Sequence, residues 1–269
     1  MQDGDGVGGV GAADDLKLIA DAAQEAGRIA MGFFRRDPKV WNKENNSPVT
    51  EADLALDTFL GKELRAARPN YGWLSEETTD DMVRLERERL FVVDPIDGTR
   101  AFIHGEEDWS VSVAIVEAGR PVAAALYVPV PGELYLATAG GGAQLNGGAI
   151  AVSGRSELSG AHIAGPRSLR GQKALSAAGL DQDVHIRSLA LRIALVAAGR
   201  RDGAIATRHA NDWDLAAADL LVQEAGGQLT DLDGRTLRYN RPDVSHPVLV
   251  ATSSALRVSL SEIVRSVLE

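Results

Sequence analysis

A chain of 269 residues that is 45% hydrophobic can bury one large core or two smaller ones, and it reads as globular. The formal net charge of -10 argues against general nucleic-acid binding, and the absence of cysteine excludes disulfides, thiolate metal sites and cysteine nucleophiles. Any metal ligands must be oxygen or histidine, and no apolar run approaches the roughly 20 residues that cross a bilayer, so a soluble, cytoplasmic protein is expected.

Residues 1–11 are rich in glycine and aspartate and are expected to form a disordered tail. Leu16, Ile19, Ala23, Ala26, Ala30 and Phe33 recur at helical steps, which predicts an amphipathic helix ending near Asp37-Pro38. A second helix follows Thr50, with Leu54, Phe59, Leu60 and Leu64 as its apolar positions, and stops before Pro69. Residues 71–74 and 90–93 read as buried strands. Residues 109–116, 122–128 and 133–137 read as an antiparallel meander, and the glycines at 140–142 as a turn, since no lysine and helix pattern follows them. Beyond residue 153, strands at 162–164, 184–187, 204–206 and 248–251 alternate with helices at 169–178, 189–198, 212–225 and the C-terminus. That alternation suggests an α/β second half, so an N-terminal half (12–153) and a C-terminal half (154–269) are expected to pack tightly and share a cleft.

The sharpest local signal is Asp94-Pro95-Ile96-Asp97-Gly98-Thr99, directly after an apolar strand. Pro95 stiffens the backbone between two carboxylates that can converge on one cation, and Gly98 would let the main chain approach a ligand closely. A helix starting at Gly98-Thr99 would place free N–H groups, an anion site, beside that cation. Alone, the same residues also fit an ordinary turn with Asp97 as a helix cap. Ser75-Glu76-Glu77 ends the preceding strand and can bring another acid to the same edge, or start a helix with exposed acids. Asp214 opens a helix, where it can either cap the helix or join the acidic group.

Taken together, these segments resemble the inositol monophosphatase superfamily of lithium-sensitive, magnesium-dependent phosphatases. Asp94 to Thr99 is similar to the family's first signature, Trp213-Asp214-Leu215-Ala216-Ala217 to its second, and Glu224-Ala225-Gly226-Gly227 to the end of that second segment. Val49-Thr50-Glu51-Ala52-Asp53 and Ser75-Glu76-Glu77 fall in the family's order, and the resemblance runs from about Leu16 to the C-terminus. It implies an α/β (α+β) fold, a layered α/β/α/β/α sandwich, often a homodimer, with the active site between its halves. It further implies that Glu76, Asp94, Asp97, Asp214 and the Ile96 carbonyl bind Mg2+, about two or three ions per site, inhibited by Li+. Phosphate would rest on Gly98 and Thr99, while Thr99, paired with Asp53, would help Glu76 orient and deprotonate the attacking water. Thr50 to Asp53 also fits a capping box, and Lys43 is a weaker candidate for a phosphate contact.

The substrate implied is a small phosphate ester. Inositol-selective members are expected to carry an acid seven positions before the second-signature aspartate, where this sequence has Thr207. Arg192 occupies a place similar to the lysine of 3'(2'),5'-bisphosphate nucleotidases, where it could contact a second phosphate, although it also fits a solvated helix face. The order of expectation is adenosine 3',5'-bisphosphate, inositol phosphate, then histidinol phosphate, with fructose bisphosphate below these. A different class, a binding partner in transcription complexes that keeps residual phosphatase activity, is the other reading. His104, His162, His185, His209 and His246 lack metal-ligand spacing and are read as surface or packing residues, with His104 the one nearest the first signature.

Overall fold

The computed structural model describes residues 11–43, 47–169, 171–181 and 185–268. Helix α1 (Ala12–Met31) is followed by a short hairpin of β1 (Val40–Asn42) and β2 (Pro48–Thr50), which leads directly into α2 (Glu51–Ala67). A seven-stranded sheet then forms in chain order from β3 (Gly72–Ser75), β4 (Arg89–Asp97), β5 (Ser110–Glu117), β6 (Arg120–Val128), β7 (Glu133–Thr138), β8 (Gly142–Leu145) and β9 (Gly148–Ile150), with a 3-10 turn at Val83–Glu86 between β3 and β4 and helix α3 (Thr99–His104) between β4 and β5. Strands β3 and β4 are parallel, and every later neighbour is antiparallel.

The remaining elements are β10 (Ile163–Ala164), α4 (Lys173–Ala177), α5 (Leu189–Ala197), β11 (Gly203–Ala206), β12 (Ala210–Asn211), α6 (Asp212–Glu224), β13 (Gly227–Asp231), β14 (Ser245–His246), β15 (Leu249–Ser253) and α7 (Arg257–Leu268). A second sheet has the order β10-β11-β15-β13, and β12 pairs with β14. Only β10 and β11 run parallel in this second sheet, so the alternation of strand and helix produces a mixed sheet.

Alternation along the central strands explains the layering. In β4, Phe91 and Val93 face a core with Ile19, Ala23, Leu56 and Leu60 of α1 and α2. Leu90 and Val92 face the opposite core, with Leu191 of α5 and Leu215 and Leu221 of α6, which also touches Leu229 and Ala251 of the second sheet. A third core joins Ile163, Ile205 and Val250 to Leu175 of α4 and Leu260 of α7. The result is the expected α/β/α/β/α order, and a strand buried on both faces reads as a continuous apolar run.

Some local expectations change. Leu54 is exposed, and Leu56, Leu60 and Leu64 form the buried stripe of α2 at a spacing of four. The helix expected over 169–178 shrinks to a 3-10 turn at Arg167–Leu169 and α4, because Gly171 and Gly179 adopt left-handed φ angles of 75° and 72° on either side. The expected tail lies outside the described residues except for Gly11, as does Val184 of the strand expected at 184–187, whose residues 185–187 form no strand.

Candidate metal and phosphate site

The site begins where β4 ends. Asp94 pairs with Ser112 of β5 and Asp97 with Ser110, so Pro95 and Ile96 bulge against a single opposing residue, Val111. Proline lacks the N–H that a regular ladder would need at this point. The bulge turns Asp94 and Asp97 toward one space. Parallel pairing of β3 with β4 sets Ser75 opposite Val93, and the Glu76 N–H donates to the Val93 carbonyl at 3.2 Å, which brings Glu76 to the same sheet edge. From the far side, the first turn of α6 contributes Asp214.

Asp94, Asp97 and Asp214 each offer an oxygen within 4.8 Å of the others. Asp94 Oδ1 is buried and accepts no hydrogen bond, a costly arrangement unless a cation meets it. Burial, then the charges of Glu76, Asp97 and Asp214, hold the Asp94 carboxyl well above its usual range. Burial, then Asp97 and Glu76, does the same to Asp214. Asp97 is pushed up to about 6 by burial, although Ser188, Ala190 and Leu189 at the start of α5 donate hydrogen bonds that favour its charged form. An all-oxygen donor set with one orphaned carboxylate oxygen fits a hard divalent cation such as magnesium.

Several acids use their two oxygens for different tasks. Asp214 Oδ2 accepts the Asn211 N–H at 2.7 Å, closing the α6 capping box, so the cap and the acidic cluster share this residue. Asp53 Oδ2 accepts the N–H and hydroxyl of Thr50 in the α2 capping box, while its Oδ1 accepts the Thr99 hydroxyl at 3.3 Å. Burial pushes the Asp53 carboxyl up to about 6 against the Thr50 hydrogen bonds. The Thr99 hydroxyl is also within donating distance of the Ile96 carbonyl at 3.1 Å, so its one proton is shared between these two acceptors. Gly98 has a left-handed φ of 94°, and a Cβ there would stand 3.1 Å from the Asp108 carbonyl and 3.2 Å from the Ser188 nitrogen. The glycine is thus required by its backbone angle and by packing on 108 and 188.

These residues floor a cavity of about 300 Å³ whose walls include Ser47, Pro48, Arg100, His185 and Arg187. Lys43 is not among the wall residues, and its ammonium donates to Glu76 at 2.8 Å and Glu77 at 2.7 Å. Burial works against that ammonium, but Glu76 and Glu77 raise its pKa overall, while burial pushes Glu77 up to about 7. Two residues expected at the substrate end stand elsewhere. Arg192 is 8% exposed, absent from the cavity wall, and donates from Nη1 to the Ile205 carbonyl, so it is neither a solvated helix face nor a wall residue. Thr207 is exposed outside the cavity.

Sequence reasoning missed Ser188, although serine ahead of an apolar helix is an N-cap signal, and it missed Arg100, Arg187 and His185 as wall residues. His104 is exposed and outside the wall, and His246 is buried against Asp212 at 2.7 Å.

An acidic oxygen cluster at the bulged end of a doubly buried strand, set between two sheets of an α+β sandwich, is the donor set of a metal-binding protein of the α+β class. Residues 14–269 match the inositol monophosphatase family, and the chain belongs to it. It is 35% identical over 232 residues to an inositol-1-monophosphatase of Mesorhizobium japonicum, covering 81% of this chain and 86% of that protein. It is 33% identical over 236 residues to the 3'(2'),5'-bisphosphate nucleotidase CysQ of Aggregatibacter actinomycetemcomitans, covering 84% and 87%. The solved Thermotoga maritima IMPase superposes with a TM-score of 0.84 at 27% identity, over 94% of this chain and 98% of that one. The chain is therefore a phosphoric monoester hydrolase, a metal-dependent phosphatase of this family.

Proposed function

We propose that the chain hydrolyses a small phosphate monoester by direct attack of water, with Mg2+ held by Glu76, Asp94, Asp97, Asp214 and the Ile96 carbonyl. The observation that carries this reading is the approach of Asp94, Asp97 and Asp214 to within 4.8 Å around a buried, unpartnered carboxylate oxygen. Magnesium there would supply Lewis acidity, lowering the pKa of water and offsetting charge on the phosphoryl group. Glu76, lining the same cavity, receives the proton of the attacking water as the P–O bond to the alcohol breaks, and the departing alkoxide takes a proton from solvent water. Thr99 gives its own proton to Asp53 as a hydrogen bond and turns its lone pairs toward that water, which it orients. The main chain at Gly98 and Thr99 receives the phosphoryl oxygens, and no phosphoenzyme forms.

For the substrate we favour adenosine 3',5'-bisphosphate, with inositol 1-phosphate second and histidinol phosphate third. Support comes from the relative named as a bisphosphate nucleotidase and from Arg100 and Arg187 in the cavity wall. We also read residues 12–153 and 154–269 as two halves that each contribute ligands, Asp94 from one and Asp214 from the other, in a cytoplasmic, lithium-sensitive homodimer. The reading as a transcription-complex partner with residual activity ranks below these, because a binding role gives no reason for an unpartnered buried carboxylate.

The test is phosphate release from these esters at fixed magnesium, with chelator and lithium controls. Magnesium-dependent turnover that Asp94→Asn and Asp214→Asn each abolish, with circular dichroism unchanged, is the expected result. Full turnover in either folded variant would remove the mechanism.

A further inference from the structure

The cavity pairs an acidic floor with a basic mouth. Asp94 and Asp97 are buried, whereas Arg100 is exposed and Arg187 half-buried, and all four line the same space of about 300 Å³. Within a chain of net charge -10, two arginines set beside four carboxylates in one cavity wall place positive charge at its edge. Their partners differ. Arg187 is anchored: its backbone N–H donates to Asp108 Oδ2, and its Nε and Nη2 both donate to Glu106, which offsets its charge and leaves Nη1 without a hydrogen bond among the described residues. Arg100 makes no side-chain hydrogen bond or ion pair among the described residues.

Position separates these groups from the reacting phosphate. Thr99 faces Asp53 and the Ile96 carbonyl on the floor, and Arg100 follows it in α3, where one residue of helix turns the side chain by about 100°. The Arg100 guanidinium therefore meets the cavity at the mouth. Charge points the same way. Four carboxylates on the floor neutralise about two divalent cations, so an arginine with no partner among the described residues is surplus to the cluster and suits an anion beyond it.

Resting on the phosphatase reading above, we propose that Arg100, with the open edge of Arg187, makes this site selective for phosphate esters whose leaving alcohol carries a second phosphate. This moves the role expected of Arg192 to the cavity mouth. Arg192 itself keeps its bond to Ile205.

The test compares adenosine 3',5'-bisphosphate with adenosine 3'-monophosphate, which differ only in the second phosphate, on wild type, Arg100→Gln, Arg100→Lys and Arg187→Gln at fixed magnesium. Arg100→Gln is expected to lower the bisphosphate-to-monophosphate ratio of kcat/KM about tenfold, through the KM for the bisphosphate, with partial recovery in Arg100→Lys and a smaller effect in Arg187→Gln. Calorimetric titration with adenosine 3',5'-bisphosphate in calcium, in place of magnesium, reads the same selectivity without turnover. An equal loss on both substrates would assign Arg100 to the scissile phosphate, and no change on either would make it a solvated surface residue; each overturns the proposal. Wild type that hydrolyses inositol 1-phosphate but does not prefer the bisphosphate overturns it while leaving the phosphatase reading intact. Absence of turnover on every ester would instead strike that reading, and the titration would still decide the second-phosphate contact.

Discussion

Thr99 and Asp53 join the starts of two helices: the Thr99 hydroxyl, at the beginning of α3, donates to the Asp53 oxygen that is left over once the other has closed the α2 capping box. One carboxylate therefore closes the helix cap through Oδ2 and holds Thr99 through Oδ1, the contact that the proposed reaction uses. Asp53→Asn keeps an oxygen for the cap but loses the charge, so turnover should fall about 100-fold with little change in melting temperature. Asp53→Ala should lose both, adding a stability cost of about 1 kcal/mol. Thr99→Ala combined with Asp53→Asn should be no slower than the worse single variant, since the two act as a unit. Steady-state kinetics beside thermal melts checks this, and additive rate losses would disconnect the pair.

The acidic cluster makes the chelated protein more stable in mild acid. Asp53 and Asp97 titrate near 6 in the folded chain, above the usual 3.8, so the folded state binds more protons than the unfolded one between these values. Their contribution is present below about 4 and is lost as pH rises through about 6. Asp94 shifts in the same direction. In EDTA at pH 7.5, Asp94→Asn should therefore melt higher than wild type, by about 2–4 °C for each kcal/mol of repulsion relieved. The difference should shrink toward pH 5, below the values near 6 at which Asp53 and Asp97 take up protons and relieve the repulsion, and magnesium should stabilise wild type much more than the variant. Calorimetry in EDTA and in magnesium measures all three; a variant that melts lower than wild type in EDTA at pH 7.5 would contradict the account.

What the sequence made legible was local. Asp94, Asp97 and Asp214 sit in compact motifs, each within a few residues of the proline, glycine or helix start that positions it, so they stood out as candidates; spacing left a turn and helix caps open, and the resemblance to the family joined them into one set. Glu76 needed one further step, a strand pairing, which the apolar runs at 71–74 and 90–93 suggested. Arg192 failed because burial is a tertiary property. It sits one turn after Ser188 in α5, where a side chain leans back toward the helix start, and β11 covers it through the Ile205 carbonyl. Arg100 and Arg187 are 87 positions apart, and only the folded chain shows that they share a cavity.

Ser188 links the second half of the chain to the metal motif. Its hydroxyl donates to Asp97 Oδ2 at 2.5 Å and accepts the Leu191 N–H at 2.9 Å, so it caps α5 and fixes the Asp97 carboxylate at once. The N–H groups of Leu189 and Ala190 complete the grip. Removing the hydroxyl leaves two backbone donors on Asp97 but frees its carboxylate to rotate. Ser188→Ala should thus cost about 1 kcal/mol for the lost cap and weaken magnesium affinity about tenfold, the size expected when a partner that orients a ligand is deleted. Ser188→Thr should restore much of the affinity, because the hydroxyl is kept. Titration of the chelated protein with magnesium, followed calorimetrically beside thermal melts, separates the two effects. Unchanged magnesium affinity in a destabilised Ser188→Ala would reduce Ser188 to a helix cap and leave Asp97 oriented by the α5 backbone alone.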